Sequence, residues 1–319
     1  MPKPKILVIT PVSHIEGVGK QLEDIGEVTY LDDPDPDEVR KIIANYEAIF
    51  TNPNKSKVFL GKEVLSDTPK LKVICTASTG TNHVDKPYIN NKGISLLALT
   101  EERDVINNIT STAEHALALT LSIIRNIKVS SLSVSQGLWD YTPFVGRQMN
   151  SLNVGVIGYG RLGSLYAKYC NSLGSDVFIY DPFKKVPKEY SQLSDLPDIF
   201  KVSDIISLHV HVNEETIGMI NKKLLSMAKK DLVLINTSRG DIVNEKDLVE
   251  FLMKNKKSLY ATDVLENEIS NRTGSPIYKY HQDSQQVLIT PHIGGMTKEA
   301  QEIAYNHAAS MLCNFFKAE

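Results

Sequence analysis

The chain has 319 residues, of which 42% are hydrophobic and 23% charged, a balance typical of a globular protein long enough for two domains. Its formal net charge of −3 offers no basic surface to nucleic acid or to an anionic membrane, so we expect neither as a partner. Three widely spaced cysteines predict reduced thiols, with no disulfide framework and no metal site, and without a signal-peptide core or membrane span the default expectation is a cytoplasmic protein.

Short β-rich runs alternate with amphipathic segments in the first third of the chain. Helical spacing separates these runs, for instance over 36–46. This alternation is typical of βαβ units around a parallel sheet. The predicted strands are KILVIT (5–10), EVTYLD (27–32), AIFTN (48–52), KVICTAS (72–78) and ISLLAL (94–99).

A long helix then interrupts the alternation. STAEHALALTLSIIRNI (111–127) has helical spacing and a capping box, in which Ser111 would cap the N-terminus and Glu114 would reach back. The stretch that follows contains the only tryptophan, Trp139. We expect that stretch to be mostly irregular.

A second series of apolar strands begins at residue 153. Six such runs separated by helical segments predict a doubly wound sheet. The tail after residue 297 is helical again, and we expect it to pack on the first domain. The predicted strands are NVGVIG (153–158), DVFIYD (176–181), DIISLHV (204–210), LVLIN (232–236), SLYATD (258–263) and QVLIT (286–290).

The first strand of this series continues into a glycine-rich turn, Gly158-x-Gly160-x-x-Gly163. The motif is specific here because it follows an apolar strand and opens a helix. The first glycine permits a tight turn, the second lets the backbone approach a pyrophosphate, and the third lets helix and strand pack closely. Arg161 and Leu162 lie at the helix N-terminus, whose N–H groups bind anions. The sequence therefore predicts a dinucleotide site.

The next strand ends at Asp181, 18 residues after Gly163. A carboxylate at this place can accept hydrogen bonds from ribose hydroxyls and repels a 2′-phosphate, which favours NAD over NADP. Lys184 and Lys185 lie close by in the sequence, so NADP stays open as an alternative.

Ligands of doubly wound sheets bind beyond the carboxyl ends of the strands. The sequence places polar or catalytic side chains at the ends of all four remaining strands. They are His209 with Val210 after the third strand, Thr237 and Arg239 after the fourth, Asp263 after the fifth, and His292 after the sixth.

This set of side chains suits hydride transfer to a 2-keto acid. His292 would give a proton to the new alkoxide, because histidine titrates near physiological pH. A carboxylate beside the imidazole would fix its tautomer, and Glu268 is preferred to Glu266 for this role. Arg239 would bind the substrate carboxylate in a bidentate pair and polarise the carbonyl.

The sequence resembles the D-isomer-specific 2-hydroxyacid dehydrogenases over essentially its whole length. The motifs that carry the resemblance are AEHALALTLSIIRN, VGVIGYGRLG, SLHV, NTSRGDIVNE, TDVLENE and VLITPHIGG. With the strand pattern, this predicts an α/β protein with two doubly wound parallel-sheet domains. A Rossmann NAD-binding domain (108–292) would be inserted into a flavodoxin-like substrate-binding domain (1–107, completed by 293–319).

The resemblance implies roles for several residues. Arg239, Glu268 and His292 would form the catalytic set, and Asp263 would contact the nicotinamide carboxamide. Backbone amides of Thr79, Gly80 and Thr81 would hold the substrate carboxylate. Family members usually form homodimers through the nucleotide domain, and their two domains close over the substrate and exclude water.

The sequence departs from the family pattern at two places. His211 stands where the family usually has a proline after His209 and one further residue, which leaves the cofactor contacts there open. Asn267 stands where a proline usually separates the two glutamates, so we expect a less rigid loop.

The sequence indicates the type of reaction more clearly than the identity of the substrate. Lys55 could pair with a distal phosphate or carboxylate, or could be a solvated loop lysine. The first hypothesis is reduction of small 2-keto acids, and the second is the same chemistry on a larger or phosphorylated acid such as a 3-phosphoglycerate. A third is an NAD-sensing interaction protein, because the resemblance extends to transcriptional corepressors. We rank it last, since we expect such a protein to carry disordered tails.

Overall fold

The computed structural model describes residues 3–53, 57–269 and 271–318. The chain divides into two compact units, Met1–Ile109 with Gly295–Glu319, and Thr110–Gly294. The edges of these units lie two residues later than the predicted domain boundaries at 107 and 292. Each unit is a parallel sheet with helices on both faces, so the predicted fold class is confirmed.

The first unit contains the five predicted strands. They pair in parallel in the order β2-β1-β3-β4-β5, which is the flavodoxin-like order. Strands β3 and β4 are buried along their whole length, as expected where helices cover both faces of a parallel sheet. The strands are β1 Lys5–Val8, β2 Glu27–Tyr30, β3 Ala48–Thr51, β4 Val73–Thr76 and β5 Ser95–Ala98.

Helices cover both faces of this sheet. The chain tail forms α13, and its buried residues Ala304, Ala308 and Leu312 join the core of the first unit, which confirms the predicted packing. The segment predicted as one helix over 36–46 ends its α-helical part at Ile42 and continues as a 3₁₀ turn, Ile43–Asn45. The helices are α1 Val18–Ile25, α2 Pro36–Ile42, α3 Lys62–Leu65, α4 Lys86–Asn91, α5 Arg103–Ile106 and α13 Lys298–Ala318.

The second unit has seven parallel strands where the sequence predicted six. The additional strand, β8, is a two-residue, fully exposed edge strand, too short and too polar to be recognised from its pattern. The order is β12-β11-β10-β9-β6-β7-β8, the doubly wound nucleotide-binding order extended by one strand. The strands are β6 Asn153–Ile157, β7 Asp176–Tyr180, β8 Ser191–Gln192, β9 Ile205–Leu208, β10 Val233–Asn236, β11 Leu259–Thr262 and β12 Val287–Ile289.

Successive strand residues alternate between two cores in this unit. Val154, Val156 and Ile235 face one core, whereas Ile157 and Leu234 face the other, because side chains of a strand point alternately to the two faces. The helices are α6 Ser111–Ile124, α7 Ile127–Ser135, α8 Arg161–Ser172, α9 Leu196–Val202, α10 Lys222–Leu225, α11 Glu245–Lys254 and α12 Pro276–Asp283.

The long helix α6 differs from its prediction at both ends. Ser111 is its first helical residue and is buried, while Thr110 occupies the cap position and its hydroxyl donates to Glu114. The predicted Ser111 cap is therefore wrong. The helix ends at Ile124 because Asn126 adopts a left-handed conformation with φ of 56°. A second helix, α7, then begins at Ile127 and extends into the stretch predicted to be irregular.

Within the described ranges, no single helix has both the length and the apolar composition of a membrane span. The helical segments Arg103–Ile124 and Ile127–Ser135 meet these criteria only together, with a 60° bend between them.

Candidate active site

Candidate site residues of the second unit directly follow the strands at the carboxyl edge of its sheet. Strands β6 and β9 are neighbours, and the chain winds outward in opposite directions from this pair. Such a reversal opens a crevice for a ligand at the carboxyl edge. Gly158 follows β6, Asp181 follows β7, His209 follows β9, Thr237 follows β10, Asp263 follows β11, and Thr290 follows β12.

The three glycines of the turn have different surroundings. Gly158 has a φ of 93°, and a β-carbon there would lie 2.5 Å from the carbonyl oxygen of His209. At Gly163 a β-carbon would lie 2.0 Å from the carbonyl oxygen of Gly158. Gly160 is open, with nothing within 4 Å of such a carbon. Gly158 and Gly163 thus satisfy packing inside the protein, and Gly160 leaves space for a ligand at the N-terminus of α8.

Asp181 is engaged by the backbone around it. Its Oδ2 accepts the N–H of Tyr159 at 2.7 Å, and its Oδ1 accepts the N–H groups of Phe183 and Lys184 at 2.8 and 2.9 Å. These contacts join the glycine turn to the loop after β7. They also fix the carboxylate at the place predicted for the ribose.

The residues after β9 and β10 contribute two polar groups. Burial lowers the pKa of His209 to about 3, and its Nε2 lies 2.9 Å from the Ser207 hydroxyl. Val210 follows it and is partly buried. The buried Thr237 hydroxyl has no hydrogen-bond partner among the described residues. A buried polar atom without a partner is costly, so Thr237 fits a site completed by a bound cofactor.

His292 and Glu268 form the closest pair of titratable side chains at this edge. Nδ1 of His292 lies 2.7 Å from Oε1 of Glu268, and the side chains are 24% and 18% exposed. The pair is thus shielded from bulk water but still accessible. A carboxylate at Nδ1 fixes the tautomer and presents Nε2 as the reactive nitrogen.

The loop that carries Glu268 positions it against His292. Oε2 of Glu268 also accepts the N–H of Leu265 at 3.3 Å. Asn267 adopts a φ of 55°, which a proline ring cannot reach. Asparagine in place of the family's proline is thus matched to this backbone.

A buried glutamate that the sequence analysis did not single out supports the same loop. Glu245, 2% exposed, accepts the N–H of Glu266 at 3.0 Å through Oε1. Its Oε2 accepts the hydroxyl of Ser275 and the N–H of Ile277. The sequence shows only an acidic residue in the first turn of a helix, so its burial could not be inferred.

Arg239 lies at the start of the turn after β10. Its Nη1 donates to the carbonyl of Ser238 at 2.6 Å. Burial lowers the pKa of the guanidinium, and the negative charges of Glu268 and Asp241 oppose this change. The next residue, Gly240, packs so tightly that a β-carbon would lie 2.0 Å from the Leu265 carbonyl carbon. This contact locks the Arg239 turn to the Glu268 loop.

Asp263 fixes the segment that contains His292. Its Oδ1 accepts the Thr290 hydroxyl at 2.6 Å and the N–H of Ile293 at 2.9 Å, and its Oδ2 accepts the N–H of Gly294 at 2.7 Å. Burial by itself raises the pKa of this carboxyl, but hydrogen bonds from His115, Thr290 and the two amides outweigh it and lower the pKa. His115 is not among the residues predicted for the site, because nothing in the sequence around it indicates a partner at the strand ends.

The predicted substrate loop lies in the first unit. Thr79, Gly80 and Thr81 accept hydrogen bonds through their carbonyl groups, whereas their N–H groups donate to no described residue. Lys55 lies outside the described residues. In the ranges that the structure describes, no group of three or more His, Cys, Asp or Glu side chains could hold a metal ion.

Comparison of the sequence with known proteins identifies the family of this chain. Residues 117–294 match the model of the D-isomer specific 2-hydroxyacid dehydrogenase NAD-binding domain. The D-3-phosphoglycerate dehydrogenase of Archaeoglobus fulgidus is 33% identical over 302 residues, which are 93% of this chain and 54% of that protein. The corresponding protein of Mycobacterium tuberculosis H37Rv is 31% identical over 296 residues, 92% of this chain and 52% of its own length. The chain thus spans about half the length of these relatives.

A solved structure covers the whole fold. The D-lactate dehydrogenase of Aquifex aeolicus, complexed with NAD and lactic acid, is 29% identical with a TM-score of 0.81. The match covers 98% of this chain and 96% of that one. The family match includes the glycine turn and every strand of the second unit. The chain belongs to the D-isomer-specific 2-hydroxyacid dehydrogenase family and carries its NAD-binding domain.

Proposed function

We propose that this protein is an NAD-dependent dehydrogenase that interconverts a D-2-hydroxy acid and its 2-keto acid. The observation that carries the proposal is the 2.7 Å contact between Nδ1 of His292 and Oε1 of Glu268. It lies at the carboxyl edge of a nucleotide-binding sheet, in the same loop cluster as Arg239. A histidine oriented by a carboxylate is suited to exchange a proton with a reacting hydroxyl.

The cofactor site is assigned to residues around the glycine turn and the neighbouring strand ends. The open face of Gly160 and the N-terminus of α8 suit a pyrophosphate, and Asp181 suits the ribose. The unpartnered Thr237 hydroxyl and the buried Asp263 lie after adjacent strands. The assigned residues are Gly158, Gly160, Arg161, Leu162, Gly163, Asp181, His209, Val210, Thr237 and Asp263.

Each catalytic residue then has its own role in the reaction. Bound NADH supplies the hydride to the keto carbon. His292 gives the proton at Nε2 to the carbonyl oxygen, which becomes the hydroxyl, and takes it back in the reverse reaction. Glu268 stabilises the protonated imidazole, and Arg239 binds the substrate carboxylate and stabilises the charge that develops on the oxygen. The N–H groups of Thr79, Gly80 and Thr81, which donate to no described residue, are proposed as donors to a substrate carboxylate.

Loss of NADH absorbance against a panel of 2-keto acids tests this function. The panel contains glyoxylate, pyruvate, hydroxypyruvate, branched keto acids and phosphohydroxypyruvate, with NADPH in parallel and His292→Ala as the control. Turnover with NADH that disappears in the variant supports the proposal. Tight NADH binding without turnover of any acid contradicts it and favours a sensor that binds NAD.

The substrate class has a second candidate, the phosphorylated acid of the relatives called D-3-phosphoglycerate dehydrogenases. The structural relative complexed with lactic acid favours a small acid instead. A higher kcat/KM for phosphohydroxypyruvate than for pyruvate would support the phosphorylated acid, and Lys55→Ala should then reduce only that activity.

We further propose a cytoplasmic homodimer, formed through the segment from α7 to residue 145. No residue of α7 is buried, and Trp139 is 90% exposed. Leu132, Leu138, Tyr141 and Val145 in the same segment are also exposed, and clustered exposed apolar side chains are typical of protein interaction surfaces. Free cysteines at 75, 170 and 313 suit a reducing compartment.

Light scattering of the purified protein tests the dimer. The mass should be twice that of the chain and should fall to that of a monomer in the double variant Leu132→Glu, Trp139→Glu. A monomeric wild-type protein at micromolar concentration would contradict the dimer.

A further inference from the structure

The segment that carries His292 is held by one carboxylate. His292 has a φ of 55°, a region that a non-glycine residue occupies only when its surroundings enforce it. The two peptide groups that follow it both donate to Asp263, Ile293 N–H to Oδ1 at 2.9 Å and Gly294 N–H to Oδ2 at 2.7 Å. The orientation of the imidazole therefore depends on the orientation of the Asp263 carboxylate.

Two side chains in turn orient Asp263. Thr290 Oγ1 donates to Oδ1 of Asp263 at 2.6 Å. Nε2 of His115 lies 2.9 Å from Thr290 Oγ1 and 3.3 Å from Oδ1 of Asp263. The single hydroxyl proton of Thr290 is used towards Asp263, so its oxygen faces His115 as an acceptor. Nε2 of His115 must then carry a hydrogen.

The surroundings leave this network little freedom to move. The His115 and Asp263 side chains are 17% and 2% exposed. A β-carbon at Gly294 would lie 3.0 Å from Oδ2 of Asp263 and 3.6 Å from the His115 ring. The His115 ring projects from α6. This helix buries Ala113 before His115 in the sequence, and Ala116 and Leu119 after it. A helix anchored in this way is a rigid support for the loop.

We propose that His115 is a positioning residue for the reaction: by holding Asp263 and Thr290, it keeps the His292 loop in its left-handed conformation. This inference rests on the proposed function. It assigns no contact of His115 with substrate or cofactor. It predicts instead that the loss of this side chain lowers the rate of the proton transfer by a larger factor than it weakens cofactor binding, because Asp263 is also assigned to the cofactor site.

The test compares His115→Leu, which removes the donor, with His115→Gln, whose amide places an N–H near the position of Nε2. His281→Leu is the control, because His281 is also a partly buried histidine of the second unit and donates one hydrogen bond, from Nδ1 to the Val287 carbonyl. The readouts are kcat and KM with NADH and the best keto acid, NADH affinity, and amide hydrogen exchange at Ile293 and Gly294.

We expect His115→Leu to lower kcat by about 10- to 100-fold, because small displacements of a reacting group have effects of this size. NADH affinity should fall by a much smaller factor than kcat. Exchange at Ile293 and Gly294 should accelerate, and His115→Gln should restore both kcat and the slow exchange. Unchanged kcat and exchange in His115→Leu would overturn the proposal. A loss of NADH affinity equal to the loss of kcat, without rescue by glutamine, would also overturn it by showing general damage.

A second variant covers the case in which His115→Leu does not fold. Thr290→Val keeps the shape of the side chain but removes the hydroxyl between His115 and Asp263, and it should give the same changes in kcat and exchange. Amide exchange needs no substrate. If the wild-type protein turns over no keto acid, the proposed function fails, while exchange still decides whether His115 holds the loop.

Discussion

Gly158 faces the carbonyl group of His209, and the two residues follow the neighbouring strands β6 and β9 of the nucleotide-binding sheet. A β-carbon at Gly158 would lie 2.5 Å from that carbonyl oxygen, whereas one at Gly160 would meet nothing within 4 Å. Gly158 also has a φ of 93°. The fold therefore requires a glycine at position 158, whereas at position 160 a glycine leaves space for the ligand.

This difference predicts opposite phenotypes for two alanine variants. Gly158→Ala should lower the free energy of unfolding by at least about 1–3 kcal/mol, from backbone strain with an added clash. Gly160→Ala should leave stability unchanged but weaken NADH binding by roughly tenfold, about the contribution of one charge-assisted hydrogen bond. Urea denaturation and fluorescence titration with NADH measure these effects. If Gly160→Ala binds NADH with wild-type affinity, the assignment of the glycine turn to the cofactor site is wrong.

Glu268→Gln should reduce kcat by about 10²- to 10⁴-fold, the usual contribution of general acid–base catalysis. Glutamine can still bond to His292 but no longer stabilises its protonated form. Glu266→Gln is the matched control in the same loop, and it should retain activity because the described contact of Glu266 is through its backbone N–H. Steady-state assays over a range of pH compare the two. Equal losses in both variants would contradict the assignment of Glu268.

Glu245→Ala should destabilise the protein by at least about 1–3 kcal/mol, because it leaves buried donors at Glu266, Ser275 and Ile277 without an acceptor. Lys246→Ala is the control, since Lys246 is exposed on the same helix and should change stability by less than about 0.5 kcal/mol. Urea unfolding measures both. If Glu245→Ala loses no more stability than Lys246→Ala, Glu245 does not support the loop.

His209 should make stability depend on pH. Its pKa is about 3 in the folded protein and 6.5 ordinarily, so below pH 6.5 the unfolded chain binds a proton that the folded protein does not. The free energy of unfolding should therefore fall as pH drops from 6.5 towards 3, by at most about 1.4 kcal/mol per pH unit from this group.

The measurement compares urea unfolding of the wild type and His209→Gln between pH 7 and 4. The variant should show a flatter dependence, because glutamine does not titrate. NMR of the folded wild type should show no titration of the His209 ring above pH 5. A ring that titrates near 6.5 would contradict the burial that lowers its pKa.

The sequence by itself determined the strands, the glycine turn and the residues that follow each strand. These features are local: apolar runs of strand length, a motif with fixed glycine spacing, and polar side chains one position beyond a strand. Parallel strands bring their carboxyl ends to one edge, so local positions are enough to predict that Asp181, His209, Thr237 and Asp263 share an edge. The two-residue strand β8 was missed because it has no pattern of its own.

Only the tertiary structure decided how these residues are held. His115 and Thr290 are 175 positions apart, and Glu245 and Ile277 are 32 apart; nothing in either local sequence marks its partner. The left-handed conformation at His292 likewise depends on the hydrogen bonds of Ile293 and Gly294 to Asp263. Packing, burial and hydrogen-bond partners depend on which segments fold against one another. The local propensity of a segment does not determine which distant segment it contacts.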